Sequence, residues 1–489
     1  KHAVVPNFPT IFYHQPLSAY ISTAGIAIFL GAEFLLGKFS SLADTRNYYA
    51  VNASELLIVP RFLSALLGAL AVWFIYLAAK EFFGKRAAIA AAVFAASDFL
   101  LVYVNHSGRV WGYMAFFIAF ALWVTVKFFN RENIRSYCTQ AGTALLAGAN
   151  LLPGIITFVP VFLKKRVFAN KNFWIAVFIM VCGVALIVAM SPRGLGAFLF
   201  RFQSLSGGSL VESVVGKPLQ FNVAPVSLSH RFFDPFSTLL QYSPVYLIGF
   251  FIGLAFLFQE QRKKFWFALS FPLAYYIFIG PFFTFGWVVR SLVPLAIHLS
   301  FISGYAFDRL LVRIPTQRFF VIGGLVIAAA PSLVGSIILD RVLAKGDTRL
   351  DAINWVYKHI PADERIAVYS HTNEVLNQNK DVLEVIQKVA PGKLTTRQEF
   401  LLSGKSELPR PSYFSWDIRN IPGTQLPEGF FKKNKFSYFI KTDWDSPVPE
   451  KSLTDFESLL QSKILITSFD PLPDAVAGVE NFGSLHNMT

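Results

Sequence analysis

The chain has 489 residues, of which 54% are hydrophobic, 16% aromatic and only 15% charged, with a mean hydropathy of +0.48. A soluble domain carries nearer a quarter charged residues, so this composition excludes a soluble globular protein and points to a polytopic α-helical membrane protein. The net charge of +14 does not mark a nucleic-acid partner, because the basic residues follow the orientation rule of membrane helices.

Residues 1–16 read as the end of a loop. The chain opens on Lys1 without a signal peptide, and we expect a further N-terminal helix upstream of it. Segment 17–36 is apolar but carries Glu33 and runs into a polar stretch with Asp44 and Arg46. It fits either a span or a helix lying in the interface. Pro60-Arg61 opens a clear span at 62–79. Further apolar segments follow at 87–104, 110–126, 137–151, 153–163, 172–190, 244–258, 265–282, 291–308 and 319–339, which makes about 10–11 apolar helices. Cys138 and Cys182 both fall in such stretches, which argues against a zinc site or a structural disulfide.

Every second short connection is basic: Lys80, Lys85 and Arg86 in one, Lys164, Lys165, Arg166 and Lys171 in another, Arg262, Lys263 and Lys264 in a third. The opposite short connections hold Arg109 and Arg290 and little else. The positive-inside rule puts the first set in the cytoplasm and the second outside. Between Arg135 and Lys164 lie 28 residues interrupted by Pro153-Gly154. Each half reaches about 20 Å at about 1.5 Å per residue, short of the roughly 30 Å hydrocarbon core. Two short helices, or a helical hairpin dipping from the cytoplasmic side, both return the chain to the same face.

The 191–243 loop, rich in Ser and Gly, is long enough to be functional rather than a tether. After Asp340 the composition turns charged. Residues 348–359 have helical periodicity, and 365–370, 436–440 and 463–467 read as strands. We therefore expect a transmembrane domain over 1–340 and an extracytoplasmic α/β domain over 341–489, serving as a support or acceptor-binding module.

One polar corner stands out. Asp98, His106 and Arg109 crowd a short turn between two apolar runs, and ionisable groups beside hydrocarbon are costly enough to suggest function. The alternative is a solvated helix end with Arg109 snorkelling to lipid headgroups.

The order and spacing of several motifs resemble a family. Pro16-Leu17 followed by aromatics, the helix Arg61 to Gly68, the turn Phe83 to Ala87, the corner Asn105 to Trp111 and the helix start Val289 to Pro294 are similar to the polyprenol-phosphate-sugar-dependent transferases of the GT-C superfamily. That group holds protein O-mannosyltransferases and lipid A aminoarabinose transferases. The corner departs from the common pattern, with Ser107 at its acidic position and Trp111 at its tyrosine. The resemblance favours an interfacial helix for 17–37, inside a first outer loop running to residue 61. It places the catalytic Asp in that loop, upstream of Lys1, and so implies an N-terminally truncated sequence.

The resemblance implies an integral-membrane glycosyltransferase moving a sugar from a polyprenyl-phosphate donor to a lipid, protein or glycan acceptor on the extracytoplasmic face. No cofactor is implied, and a divalent cation is not expected. Localisation would be the plasma membrane in a prokaryote or the endoplasmic reticulum otherwise. Arginine presents a fixed fork of donors to phosphate oxygens, so Arg109, Arg290 and Arg61 are the candidates for the donor phosphate. Arg61 has the alternative of a structural pair with an outer-face carboxylate. His14 and Gln15 are candidates for sugar hydroxyls. Asp98 and His106 are secondary catalytic candidates, set against an acid neutralised by a nearby arginine and a headgroup-facing histidine. Two other functions stay open: a secondary transporter, and a non-catalytic scaffold or pseudoenzyme presenting the C-terminal domain.

Overall fold

The computed structural model describes residues 17–106, 108, 110–164, 166–190, 228–279, 289–344, 348–369, 376–389, 394–404, 408–417, 435–441 and 464–467. The chain divides into two compact units, one from 1–36 and 56–339, the other from 37–55 and 340–489.

The first unit is helical throughout its described residues. In chain order it holds α1 (Leu17–Leu35), α3 (Ile58–Phe83), α4 (Lys85–Ser97), α5 (Phe99–His106), α6 (Val110–Lys127), α7 (Ile134–Asn150), a 3-10 helix (Leu152–Leu163) and α8 (Lys171–Met190). There follow α9 (Leu228–Tyr242), α10 (Pro244–Glu260), α11 (Arg262–Ile279), α12 (Val293–Arg313) and α13 (Arg318–Ala344). Six helices among the described residues are long and apolar enough to cross a membrane, or eight if each bent pair counts as one span. Their outward faces carry Trp73, Phe178, Val326 and Ile327 exposed, side chains suited to lipid tails rather than water.

Local chemistry sets the breaks. Gly84, at φ 103°, ends α3 in a conformation costly for residues with a Cβ, and its N–H reaches the carbonyls of Ala79 and Lys80. The expected span 87–104 is broken: α4 and α5 bend by 54° at Asp98. The 191–243 loop ends in a helix, because α9 already begins at Leu228; residues 191–227 lie outside the described residues. α9 and α10 bend by 111° around Ser243, with Pro244 opening α10, a position where its missing N–H costs nothing. α1 has the length and composition of a span, one of the two readings that the sequence of this segment allows.

The short pair behaves as a hairpin. α7 packs along the 3-10 helix, and a Cβ on Gly148 would meet Ile155 at 2.5 Å. The chain then returns to its starting end, where Lys164 Nζ donates to the carbonyls of Phe128 (3.1 Å) and Arg131 (2.7 Å) and to Ser136 Oγ (3.0 Å). Its ammonium also lies 4.4 Å from the Tyr137 ring centroid. Burial lowers this ammonium from its ordinary 10.5 to about 8. Between those values the folded chain binds fewer protons than the unfolded chain, so stability is expected to rise with pH across that window. Lys164→Met is expected to remove that slope and, at pH 7, to cost about 1–3 kcal/mol by stranding the carbonyls. Thermal unfolding in detergent from about pH 7 to 10.5 checks both effects.

The second unit contains α2 (Leu42–Val51), α14 (Thr348–His359), α15 (Lys380–Val389) and α16 (Thr396–Leu402). It also has a parallel three-stranded sheet in the order β2-β1-β3, from β1 (Arg365–Tyr369), β2 (Phe414–Asp417) and β3 (Tyr438–Lys441). Ala367 pairs with Trp416 on one side and Phe439 on the other. Trp416, Val382, Leu383 and Phe436 fill one core of this unit, and Tyr413, Ile366 and Val356 another. The strand expected at 463–467 does not form: residues 464–467 pair with nothing among the described residues and stand exposed. The joining of 37–55 to this unit was not visible in the pattern. It rests on Arg397, whose Nε donates to the Ala50 carbonyl, and on Arg46, which lies 4.7 Å from the Phe400 ring centroid.

Candidate donor-phosphate site

The corner is built from its buried end outward. Asp98 is fully buried between α4 and α5. Its Oδ1 accepts the Leu101 N–H (3.0 Å) and its Oδ2 accepts the Ser243 hydroxyl (2.8 Å). One carboxylate therefore caps α5 and ties the break in the α4–α5 span to the break in the α9–α10 span. Ser332 on α13 closes the same gap, donating to the Ser97 carbonyl and accepting from the Phe99 N–H, both at 2.9 Å. Tyr246 adds its hydroxyl to Ser97 Oγ at 3.0 Å. Among the described residues, the bonded partners of Asp98 are a backbone amide and a hydroxyl, and no arginine is one of them.

This arrangement gives Asp98 the work of a helix cap. Asp98→Ala is expected to destabilise the fold by about 1–3 kcal/mol, since it strands buried donors. Asp98→Asn, which keeps the acceptor oxygen, is expected to retain both fold and activity. Thermal unfolding and activity on the same preparations separate a cap from a catalytic acid.

α5 runs outward to Asn105 and His106, the latter exposed. Gly108 then turns at φ +63°, and a Cβ there would lie 2.9 Å from the Arg61 amide nitrogen and 3.1 Å from the Pro60 carbonyl carbon. Only glycine allows the corner to lie this closely on the first turn of α3. Arg61 is exposed and makes no ion pair among the described residues, so the expected carboxylate partner is not found there. Arg290 sits half-buried in a 3-10 turn (Val289–Leu292) that contacts α5. The Tyr275 hydroxyl pins that turn through the Ser291 carbonyl at 2.8 Å. The start of α3, the corner and the Arg290 turn are thus neighbours at one end of the bundle. Arg109, His14 and Gln15 lie outside the described residues.

Sequence reasoning missed a set of neutral polar groups beneath this corner. The hydroxyls of Ser22 and Tyr113 pair at 2.8 Å. Ser64 Oγ and Asn105 Oδ1 are buried without a hydrogen-bond partner among the described residues, and both face Gly112. Such groups carry no charge and sit at ordinary helical spacing, so the only cue was four polar side chains on otherwise apolar helices. Among the described residues no three His, Cys, Asp or Glu side chains converge as a metal site.

The fold and this corner describe a multi-span helical membrane protein with a polar site at one end of its bundle. Residues 53–193, which run from just before α3 past the corner, match the model of the family described as dolichyl-phosphate-mannose-protein mannosyltransferase. Among solved structures, the chain is similar to the oligosaccharyltransferase of Archaeoglobus fulgidus in its apo form, with 13% identity and a TM-score of 0.46. That match covers 81% of this chain and 61% of that one. It is also similar to ArnT from Cupriavidus metallidurans bound to undecaprenyl phosphate, with 13% identity and a TM-score of 0.46, covering 75% and 74%. The chain spans between 53% and 61% of the length of the first three oligosaccharyltransferase chains it matches. No curated protein matches it in sequence.

Proposed function

We propose that the chain is an integral-membrane glycosyltransferase that takes a sugar from a polyprenyl-phosphate donor and passes it to an acceptor on the extracytoplasmic face. The observation that carries this reading is the family match over 53–193, which falls on α3, the corner and the helices between them. The description of that family names a dolichyl-phosphate sugar, and the ArnT structure holds undecaprenyl phosphate; both are lipid phosphates. In this reading residues 1–36 and 56–339 form the membrane domain, and 37–55 with 340–489 an extracytoplasmic support for the acceptor.

In the reaction, an acceptor oxygen or nitrogen bonds to the anomeric carbon as the bond from that carbon to the phosphate oxygen breaks. The electron pair leaves on the polyprenyl phosphate, and the acceptor proton goes to a general base. Charge grows on the departing phosphate, and guanidiniums fixed beside it stabilise that growth most when water is excluded. Arg290, on a turn pinned by Tyr275, and Arg109, at the corner, take this role, with Arg61 in support. His14 and Gln15 contact sugar hydroxyls. The test is transfer of label from radiolabelled polyprenyl-phosphate sugars to lipid or peptide acceptors by membranes holding the protein. Transfer from at least one donor is expected; none across the donor panel, with folded protein present, would overturn the assignment.

One observation favours a second reading. Two bent spans meeting at a buried carboxylate resemble the interrupted helices of secondary transporters. Substrate flux into proteoliposomes without sugar transfer would select it.

A further inference from the structure

A feature of the second unit is independent of the transferase reading. Lys38 follows Gly37, which turns the chain at φ +76°, and its ammonium points into a group of three rings. The Nζ lies 4.7 Å from the centroid of Tyr48, 5.3 Å from Phe39 and 5.6 Å from Tyr49. A single cation–π contact occurs about once per 70–80 residues, and here one nitrogen makes three. The rings also touch each other, at 5.4, 5.8 and 5.1 Å between centroids. Tyr48 and Tyr49 stand at 86°, so they wall different sides of the same space.

The cage is held by its own supports rather than by the lysine. Phe39 and Tyr49 are buried. The Tyr48 hydroxyl donates to Glu55 Oε1 at 2.8 Å, which fixes that ring. α2, which carries both tyrosines, is capped at its start by Ser41 accepting the Asp44 N–H. At its end the Asn52 side chain donates to the Tyr48 carbonyl. The second oxygen of Glu55 stands 3.7 Å from the ammonium and adds a negative charge to the negative ring faces. Lys38 itself is 38% exposed in its side chain, so it can swing out to water without disturbing the rings.

We infer that Phe39, Tyr48, Tyr49 and Glu55 form a binding site for an ammonium group, and that Lys38 occupies it as an intramolecular plug. Three ring faces and one carboxylate suit a compact alkylammonium. Such a group occurs on ethanolamine lipid headgroups and on amino sugars, and the site reads the charge common to both.

The probe is tetramethylammonium, followed by saturation-transfer NMR on the full chain in detergent. If Lys38 fills the cage in about nine-tenths of molecules, Lys38→Ala is expected to tighten binding about tenfold. Adding Tyr48→Ala to that variant is expected to abolish the gain. Glucosamine and ethanolamine should compete with the probe, whereas N-acetylglucosamine, which lacks the charge, should not; the stronger competitor names the source. A measurement on the unaltered chain covers the case in which Lys38→Ala fails to fold. Tetramethylammonium should speed acetylation of Lys38, read by mass spectrometry, while leaving the rate at Lys380 unchanged. Equal binding by wild type and Lys38→Ala, full binding without Tyr48, or no change in Lys38 acetylation would each overturn the inference.

Discussion

Arg290→Ala is expected to lower sugar transfer by about 10²–10³-fold while the protein still reaches the membrane folded. The size follows from removing one fixed donor to charge that develops in the transition state. The turn that carries Arg290 is held by the Tyr275 hydroxyl and by buried Ser291 and Leu292, so the alanine leaves the backbone in place. Arg290→Lys keeps the charge but loses the fork, and should fall between wild type and alanine. Arg109→Ala is expected to match Arg290→Ala, and Arg61→Ala to cost less, because Arg61 stands exposed on the first turn of α3. The assay is initial rate from a radiolabelled polyprenyl-phosphate sugar, normalised to folded protein. Because the effect is in the transition state, kcat should fall at least as far as kcat/KM.

Gly304→Val is expected to be the most damaging single change to the fold. A Cβ at 304 would lie 2.5 Å from the Ala87 carbonyl oxygen and 2.6 Å from the Ala91 nitrogen. Both are backbone atoms of α4, so no side-chain rotation relieves the clash. The other flank of α12 is equally close: Gly249 and Gly253, four residues apart on α10, lie against Ser303 and Ile302. Small residues at this spacing let membrane helices approach until their backbones touch, where packing rather than hydrophobic burial supplies the association. Overpacking costs about 1–3 kcal/mol where a core can adjust, and more is expected here. Size-exclusion profiles and thermal unfolding in detergent should show loss of the folded monodisperse protein, whereas Gly323→Val, in open space on α13, should leave both unchanged.

The spans were legible because a bilayer demands long apolar runs, and every apolar segment read from 17 to 339 has a helix in the structure. Their breaks were not. Asp98 sits in a stretch of uniformly helix-compatible residues, and its bonds to the Leu101 N–H and to Ser243, distant in sequence, make it the end of one helix and the cap of the next. The same limit applies to Arg397, whose reach to Ala50 joins 37–55 to the second unit across 347 residues of sequence. Charge made Arg61, Arg109 and Arg290 conspicuous. Ser64, Asn105 and Tyr113 were silent, because neutral polar groups on helices declare themselves only through the neighbours that bury them. Strand β2 escaped for a similar reason: Phe414-Ser415-Trp416-Asp417 is too short to show alternation.

Transfer at the outer face requires guanidiniums at the non-cytoplasmic rim of the bundle, and side-specific labelling of single cysteines tests this most directly. With Cys138 and Cys182 replaced by serine, a membrane-impermeant maleimide applied to intact cells should label cysteine introduced at His106 or Arg290. Cysteine introduced at Lys165 should react only after the cells are opened. Labelling of all three positions from the same side would contradict the account.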